Sequence, residues 1–308
     1  MTTSVIVPTY NGCHKLETIL SSLESQSIQD FETVVVVDGS TDDTIRFLSS
    51  RQTCLKEIKI IEQPNKGRAG ARNSGANNAK GDILIFFDDD MKLDPACIAS
   101  HLHHQSSVAM SIAGGRQILF RQKGDSIFHQ YRCHISEKWE QPLLGLQGAV
   151  NSVQPFFTAA NFSVPQTLFQ RLGGFNEALT DAEDQEMAIR ADQNGIAIFF
   201  LSHAVAFHND ELSIRNYIKR LRQYQRAHLS LSEVFGVGKD VVYPNGDDDA
   251  LESLSFFKAT VYQIFGWPCF LRTAEKECFM KVMPAAVRHK FFDLVTTSNV
   301  VYYPENQL

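Results

Sequence analysis

Ile83 to Phe87 is an unbroken apolar run that ends directly in three carboxylates, Asp88-Asp89-Asp90. This stretch constrains the fold more than any other. A short run without alternation predicts a strand buried on both faces, as in a parallel sheet. Its carboxylates then fall at the C-terminal edge, where open α/β sheets bind ligands. Asp88 and Asp90 are spaced so that two oxygens can meet one hard cation, Mg²⁺ or Mn²⁺, bridging to a diphosphate. The plain alternative is a solvated acidic turn. Three adjacent like charges repel, so ending a strand this way without a cation is costly.

The flanking sequence supplies the rest of such a sheet. Ser4–Pro8, Phe31–Val37 and Ile58–Ile61 read as further strands. Leu16, Ile19, Leu20 and Leu23 recur at helical spacing. Ser40 or Thr41 is expected to cap the helix carrying Ile45, Phe47 and Leu48. Gly67 opens a helix of small residues that Gly81 ends. The order β-α-β-α-β-α-β predicts a right-handed, mostly parallel α/β layer. Asp94-Pro95 predicts a helix start, and Val108–Phe120 a strand bent at Gly114-Gly115. Residues 121–152 read as an insertion or loop-rich segment. Strands are expected over 156–164 and 196–201, and helices over 165–172 and 184–193. Helix is expected again from Ser213 to near residue 235, with a polar Gly-Asp-Asp-Asp loop at 246–249 before a last helical part.

The 308 residues, 44% hydrophobic and 21% charged, suffice for one large or two modest domains. The division expected is 1–212, catalytic, and 213–308, a helical C-terminal extension. A net charge of −6 argues against nucleic acid as a partner. No signal peptide or transmembrane helix is expected, and the six scattered cysteines read as reduced thiols. His101, His103 and His104 read as one wet helix face. The aromatic stretch 254–271 reads as a helix packed on a core, with a membrane face or a partner subunit as the other options.

The loops after Pro8, Val37 and Phe87 should share one sheet edge. Tyr10 there can stack on a nucleobase or be a plain turn aromatic, and Asp38 can accept a base N–H or be a simple cap. Arg68 and Arg72, four apart near a helix start, suit an anion, or are surface charge.

At this point the chain resembles the family 2 glycosyltransferases of the GT-A fold. The resemblance rests on Val5-Ile6-Val7-Pro8-Thr9-Tyr10-Asn11, Asp38-Gly39-Ser40, Gly67 with Ala71-Arg72-Asn73, Ala79-x-Gly81-Asp82 and Asp88-x-Asp90. It continues through Gly173-Gly174-Phe175-Asn176-Glu177 and Glu183-Asp184 with Arg190 and Gly195. Val37 and Met91 depart from the family, which often has acidic residues there. The resemblance implies a Rossmann-like GT-A sheet flanked by helices and an inverting transfer of a hexosyl or N-acetylhexosaminyl group from a nucleotide sugar, with UDP as the expected nucleotide. Pro8, Thr9, Tyr10 and Asp38 would hold the base, and Arg68 and Arg72 the donor phosphate or sugar. Asp88 and Asp89 would face ribose or sugar. Asp90, with Asp88 and His208, would hold Mn²⁺ or Mg²⁺, His203 being the alternative histidine. Asp184 would be the general base. The acceptor class is a glycan or a lipid-linked saccharide, in polysaccharide or glycoconjugate synthesis. The expected location is the cytoplasm or the inner face of a membrane, with peripheral contact through the C-terminal region.

Two competing classes are weaker. A sugar-nucleotide nucleotidyltransferase wants a Gly-rich, Arg-containing loop after the first strand, and a dinucleotide oxidoreductase wants G-x-G-x-x-G there. Pro8-Thr9-Tyr10-Asn11-Gly12 is neither. A catalytically degenerate carbohydrate- or nucleotide-binding protein is opposed by the intact Asp90 and Asp184.

Overall fold

The computed structural model describes residues 1–152, 157–210, 212–235 and 256–302. These form two compact units. One comprises Met1–Phe120 and Trp139–Asn209, the other Arg121–Lys138 and Asp210–Leu308.

The first unit is built on an eight-stranded sheet. Its strands are β1 (Thr3–Thr9), β2 (Glu32–Asp38), β3 (Glu57–Gln63), β4 (Ile83–Phe87), β5 (Met91–Leu93), β6 (Ile112–Leu119), β7 (Asn161–Pro165) and β8 (Ile198–His208). They lie in the order β3-β2-β1-β4-β7-β6-β8-β5. The β3-β2-β1-β4 half is parallel, as the buried apolar runs predict. Beyond it β7 runs antiparallel to both β4 and β6, β8 runs parallel to β6, and β5 is antiparallel to β8. The sheet is therefore mixed, with its parallel part carrying the site.

Alternate residues of these strands feed two cores. Ile6, Val34, Val36, Leu84 and Phe86 face one, with helices α3 (Gly67–Asn78), α6 (Gln166–Leu172) and α7 (Glu183–Gln193). Val5, Val7, Val35, Ile85 and Phe87 face the other, with α1 (Leu16–Glu24), α2 (Thr44–Ser50) and α4 (Cys97–Ser107). Phe86 stacks on Phe162 of β7 at 4.7 Å between ring centroids. All five residues of β4 are buried, so burial on both faces holds. Small residues in α3 let it sit close on the sheet; a Cβ at Gly75 would run into Ile6.

Several local expectations change. Neither Ser40 nor Thr41 caps α2. Ser40 Oγ instead accepts from Asn11 N at 2.9 Å, Thr41 N donates to Asn11 Oδ1 at 2.8 Å, and Asp42 Oδ1 accepts from Thr44 N at 3.1 Å. Ser40 and Thr41 thus tie the loops after β1 and β2 together, while Asp42 holds the first residue of α2. Helix α4 starts two residues after Pro95, although Asp94 Oδ1 still accepts from Ala96 N at 2.9 Å. The segment expected to be loop-rich holds the helix α5 (Ile127–Leu144). Its buried residues, including Ile127, Phe128, Tyr131 and Cys133, all lie in its first half, and Pro142 interrupts the second half, so no sustained helical stripe exists to be read. The register of β8 against β6 shifts at Gly115/Arg116, in line with the expected bend at the glycine pair. Of the strand expected at 156–164, residue 156 lies outside the described residues and the strand itself starts only at Asn161; the loop at 246–249 lies wholly outside them.

The second unit is helical: part of α5, then α8 (Ile214–Phe235), α9 (Phe256–Phe265), α10 (Pro268–Ala274), α11 (Glu277–Val282) and α12 (Ala285–Thr297). Its core gathers Phe128, Tyr131, Ile218, Met280, Phe292 and Val295. Tyr131 donates to Asp293 Oδ1 at 2.6 Å, and Arg132 pairs with Asp210 at 2.8 Å. Phe265 and Phe270 pack against this core, while Phe257 and Trp267 are exposed. Among the described residues no helix is long and apolar enough to cross a membrane. All six cysteines are free thiols.

Candidate active site

The loops after β1, β2 and β4 meet at the C-terminal edge of the parallel strands. The β1–α1 loop turns at Asn11, which has a φ of +50°, and its Gly12 N donates to Thr44 Oγ1 at 3.0 Å. Gly12 has no room for a side chain: a Cβ there would lie 2.6 Å from Asp89 Oδ2. Tyr10 is left 52% exposed on this rim, an aromatic face open to solvent. Pro8 and Thr9 pair with Val36 and Val37 of β2. Asp38, at the end of β2, is buried. Its Oδ1 accepts from Gln63 Nε2 at 2.7 Å and from Lys66 N at 2.8 Å, so it anchors the start of α3 as well as lining the rim.

The three carboxylates after β4 part company. Asp88 Oδ1 accepts from Arg72 Nη2 at 2.7 Å. Asp89 turns back to β1, where Oδ2 accepts from Thr9 Oγ1 at 2.6 Å and Oδ1 lies 3.3 Å from Lys15 Nζ. Asp90 Oδ2 is 3.5 Å from the same Lys15 Nζ, and its Oδ1 is 3.2 Å from His208 Nε2. Burial pushes the Asp89 carboxyl above the ordinary carboxylate range despite Lys15 and Thr9. Burial acts upward on Asp90 too, but His208 and then Lys15 outweigh it and hold that carboxyl at about 2.

Arg72, on α3, joins this cluster to the far side of the rim. It is 3% exposed, and its Nη1 donates to Glu183 Oε1 at 2.5 Å. Glu183 and Asp184 open α7 directly after Ala182, a non-glycine residue held at φ +60°. That left-handed turn is what swings the two acids toward α3. Asp184 Oδ2 accepts from Ala159 N at 3.1 Å and Oδ1 from its neighbour Gln185 N at 2.9 Å. Burial and the adjacent charge of Glu183 push its carboxyl up to about 6. Arg68 pairs with Asp181 at 3.1 Å.

His208 reaches Asp90 because of how β8 is paired. Met91 opposes His208 across β5–β8, so the residue after Asp90 and the histidine are cross-strand neighbours. On the other side of β8, the register against β6 shifts at Gly115/Arg116, and Asn161 bridges the two strands there. Asn161 Nδ2 donates to Arg116 O at 3.1 Å and to Ala204 O at 2.9 Å, one carbonyl on each strand at the shift. Its Oδ1 accepts from His101 Nε2 at 2.8 Å, which leaves His101 Nδ1 to accept from Ser163 Oγ at 2.9 Å. His101 is therefore fully buried, not part of a wet face, and burial lowers its pKa to about 4. His203 faces elsewhere, lining a groove of about 530 Å³ with Ser100, His103 and His104.

The structure thus brings Asp90, Asp89 and His208 together, links Asp88 to Asp184's neighbour through Arg72, and puts Tyr10 and Asp38 on the same edge. Sequence reading overlooked Lys15 and Asn161. For Lys15 a signal existed: a lone cation in the first apolar-periodic turn after the Thr9-Tyr10-Asn11 loop. For Asn161 there was none, since its role depends on strands distant in sequence.

Residues 4–173 match the family model described as glycosyl transferase family 2. The chain belongs to this family. An uncharacterized glycosyltransferase, YfnE, of Bacillus subtilis is 34% identical over 150 residues, covering 48% of this chain and 36% of YfnE. The chain therefore spans well under two thirds of that relative's length. Among solved structures, Staphylococcus aureus TarS 1-349 in complex with UDP-GlcNAc matches with a TM-score of 0.56 at 18% identity, covering 99% of this chain and 93% of that one. The mannosyltransferase PcManGT from Pyrobaculum calidifontis, in complex with GDP-Man and Mn²⁺, matches with a TM-score of 0.58 at 18% identity, covering 96% and 86%. At such identities the likeness establishes the GT-A-like fold of this family 2 member.

Proposed function

We propose that this family 2 glycosyltransferase moves a sugar from a nucleoside diphosphate sugar, a UDP-sugar by preference, to a hydroxyl of a glycan or lipid-linked saccharide with inversion at the anomeric carbon. One observation carries the reading. A single buried arginine, Arg72, joins the acidic loop after β4 to the acids that open α7. Donor and acceptor chemistry can therefore share one rim.

In this reading Tyr10 stacks on the base and Asp38 accepts its N–H, with Pro8 and Thr9 shaping the pocket. Arg72 and Arg68 face the donor phosphates or sugar, and Asp88 and Asp89 the ribose or sugar. The acceptor oxygen attacks the anomeric carbon, and the bond from that carbon to the diphosphate oxygen breaks with its electron pair. Asp184 takes the acceptor's proton. A carboxyl held at about 6 is ionised at neutral pH yet basic enough to share a proton in the transition state. Its two backbone N–H contacts fix its position.

The residues present fit a divalent cation. Asp90 Oδ1 is a buried carboxylate oxygen with no aligned hydrogen bond, and an imidazole nitrogen lies 3.2 Å away. Among the described residues no three His, Cys, Asp or Glu side chains form a closed cage. Such an open pair suits a cation completed by substrate phosphates. Asp90 and His208 would hold it, with Asp88 the neighbouring carboxylate. When bound it would offset the charge that builds on the leaving diphosphate. The PcManGT complex with GDP-Man and Mn²⁺ and the TarS complex with UDP-GlcNAc support a nucleotide sugar and a cation here without choosing the base. We further place the reaction in the cytoplasm or at the inner face of a membrane.

The test is a panel of UDP- and GDP-sugars with and without Mn²⁺, read as release of the nucleoside diphosphate. Turnover with one UDP-sugar supports the proposal. Tight donor binding with no turnover in any combination would select the degenerate binding protein instead.

A further inference from the structure

Arg72 and Lys15, both set among the acids of this rim, differ in character. Arg72 is fixed: it is 3% exposed and meets Asp88 at 2.7 Å and Glu183 at 2.5 Å. Lys15 is loosely held. Its Nζ is shared between Asp89 at 3.3 Å and Asp90 at 3.5 Å, beyond the usual span of a charge-assisted hydrogen bond, about 2.7–2.9 Å. Its side chain is 34% exposed. The backbone at its base is pinned, with Lys15 N donating to Gly12 O at 2.8 Å. A pinned root, a flexible four-carbon stem and a partly exposed head describe a group that can change partners without moving the fold.

Asp90 cannot serve Lys15 and a divalent cation on equal terms. Its Oδ2 faces the ammonium while Oδ1 faces His208 and is the oxygen with no aligned hydrogen bond. A divalent charge beside Oδ1 would sit close to the ammonium and repel it. An incoming diphosphate brings the opposite charge to the same edge. We propose that Lys15 is an exchangeable counter-ion that screens Asp89 and Asp90 in the empty site, leaves Asp90 when a divalent cation binds, and then donates to the donor's diphosphate. The inference rests on the metal-assisted donor site above. It assigns Lys15 a binding role in that site, and it makes the donor-free protein a weak metal binder by construction.

The exchange has a two-signed consequence. Lys15→Met removes a competitor of the cation and a donor to the phosphate in one step. In the absence of nucleotide, Mn²⁺ should bind Lys15→Met about tenfold more tightly than the parent. That is the scale of repulsion between a divalent and a monovalent charge about 5 Å apart, even in a water-like medium. At saturating Mn²⁺, UDP should bind Lys15→Met about tenfold or more weakly, the worth of one charge-assisted hydrogen bond to phosphate. Lys15→Arg should restore UDP affinity. Both affinities are measured by calorimetry, with thermal melts showing that each variant is folded. A salt bridge that merely holds the loop would lower both affinities together. Unchanged Mn²⁺ affinity in Lys15→Met overturns the proposal, and so does unchanged UDP affinity. Failure of the underlying metal site looks different, because the parent itself would then show no Mn²⁺-enhanced UDP binding and Asp90→Asn would change nothing.

Discussion

Replacing Asp184 by asparagine should inactivate the protein and stabilise it at the same time. The carboxyl is pushed from an ordinary 3.8 up to about 6 by burial and by Glu183 beside it. A carboxyl raised in this way takes up a proton on folding between about pH 4 and 6. Stability therefore falls as pH rises through that window and stays at the lower value above it. At about 1.4 kcal/mol per pH unit, keeping Asp184 ionised at pH 7 costs the fold about 3 kcal/mol. Asparagine carries no charge, but its NH₂ must face one of the two N–H groups, of Ala159 or Gln185, that now donate to the carboxylate. One lost hydrogen bond returns about 1 kcal/mol. The net gain is about 2 kcal/mol at pH 7, or a rise of about 4–8 °C in melting temperature. It should shrink as the pH is lowered to 4. Transfer should fall by about 10²–10⁴-fold with UDP affinity nearly unchanged, the usual worth of a general base. The parent's rate should decline below about pH 6, where the base is protonated. Melting curves across pH, calorimetry with UDP and a transfer assay give the answer. A variant that melts lower than the parent at pH 7, or one that retains transfer, would refute the reasoning.

Other outcomes follow from the same geometry. Asp90→Ala should abolish Mn²⁺-dependent UDP binding with the fold intact, as read by calorimetry with and without Mn²⁺; equal enhancement in both proteins would remove Asp90 from the site. Tyr10→Ala should weaken UDP binding by about tenfold, a stacking contribution of 1–3 kcal/mol, and leave the melting temperature alone because the ring is exposed. Asp38→Ala should weaken UDP binding and also lower stability by about 1–3 kcal/mol, since Gln63 and Lys66 N lose their acceptor. His101 is held near 4 by burial, below its unfolded value, so its contribution is complete at neutral pH and is lost as pH falls from about 6.5 to about 4. That trend opposes the one from Asp184, so it should appear as the difference in melting temperature between the parent and His101→Gln across this range.

The parts legible in the sequence are those whose causes are local. A strand buried on both faces must be apolar throughout, so β1, β2 and β4 declared themselves, and with them the edge where Asp38 and Asp88–Asp90 sit. The turn at Gly173-Gly174 was equally plain, because Gly173 ends α6 at φ +83° and Gly174 follows at φ +70°. Helix α5 was hidden because its buried face stops after Cys133. What the acids do once they reach the edge depended on partners far along the chain. Arg72 meets Glu183 across a separation of 111 residues, and Thr9 meets Asp89 across 80. The choice of His208 over His203 is also tertiary. The two are five positions apart in one strand, and the β5–β8 register decides which one stands opposite Met91 and so beside Asp90, in a sheet whose β6–β8 shift Asn161 bridges. The same network turned His101 from an expected surface residue into a core one. Periodicity reports how much of a residue is buried on average along its own element, whereas pairing register, ion-pair choice and the exposure of Lys15 are set by which other elements arrive there.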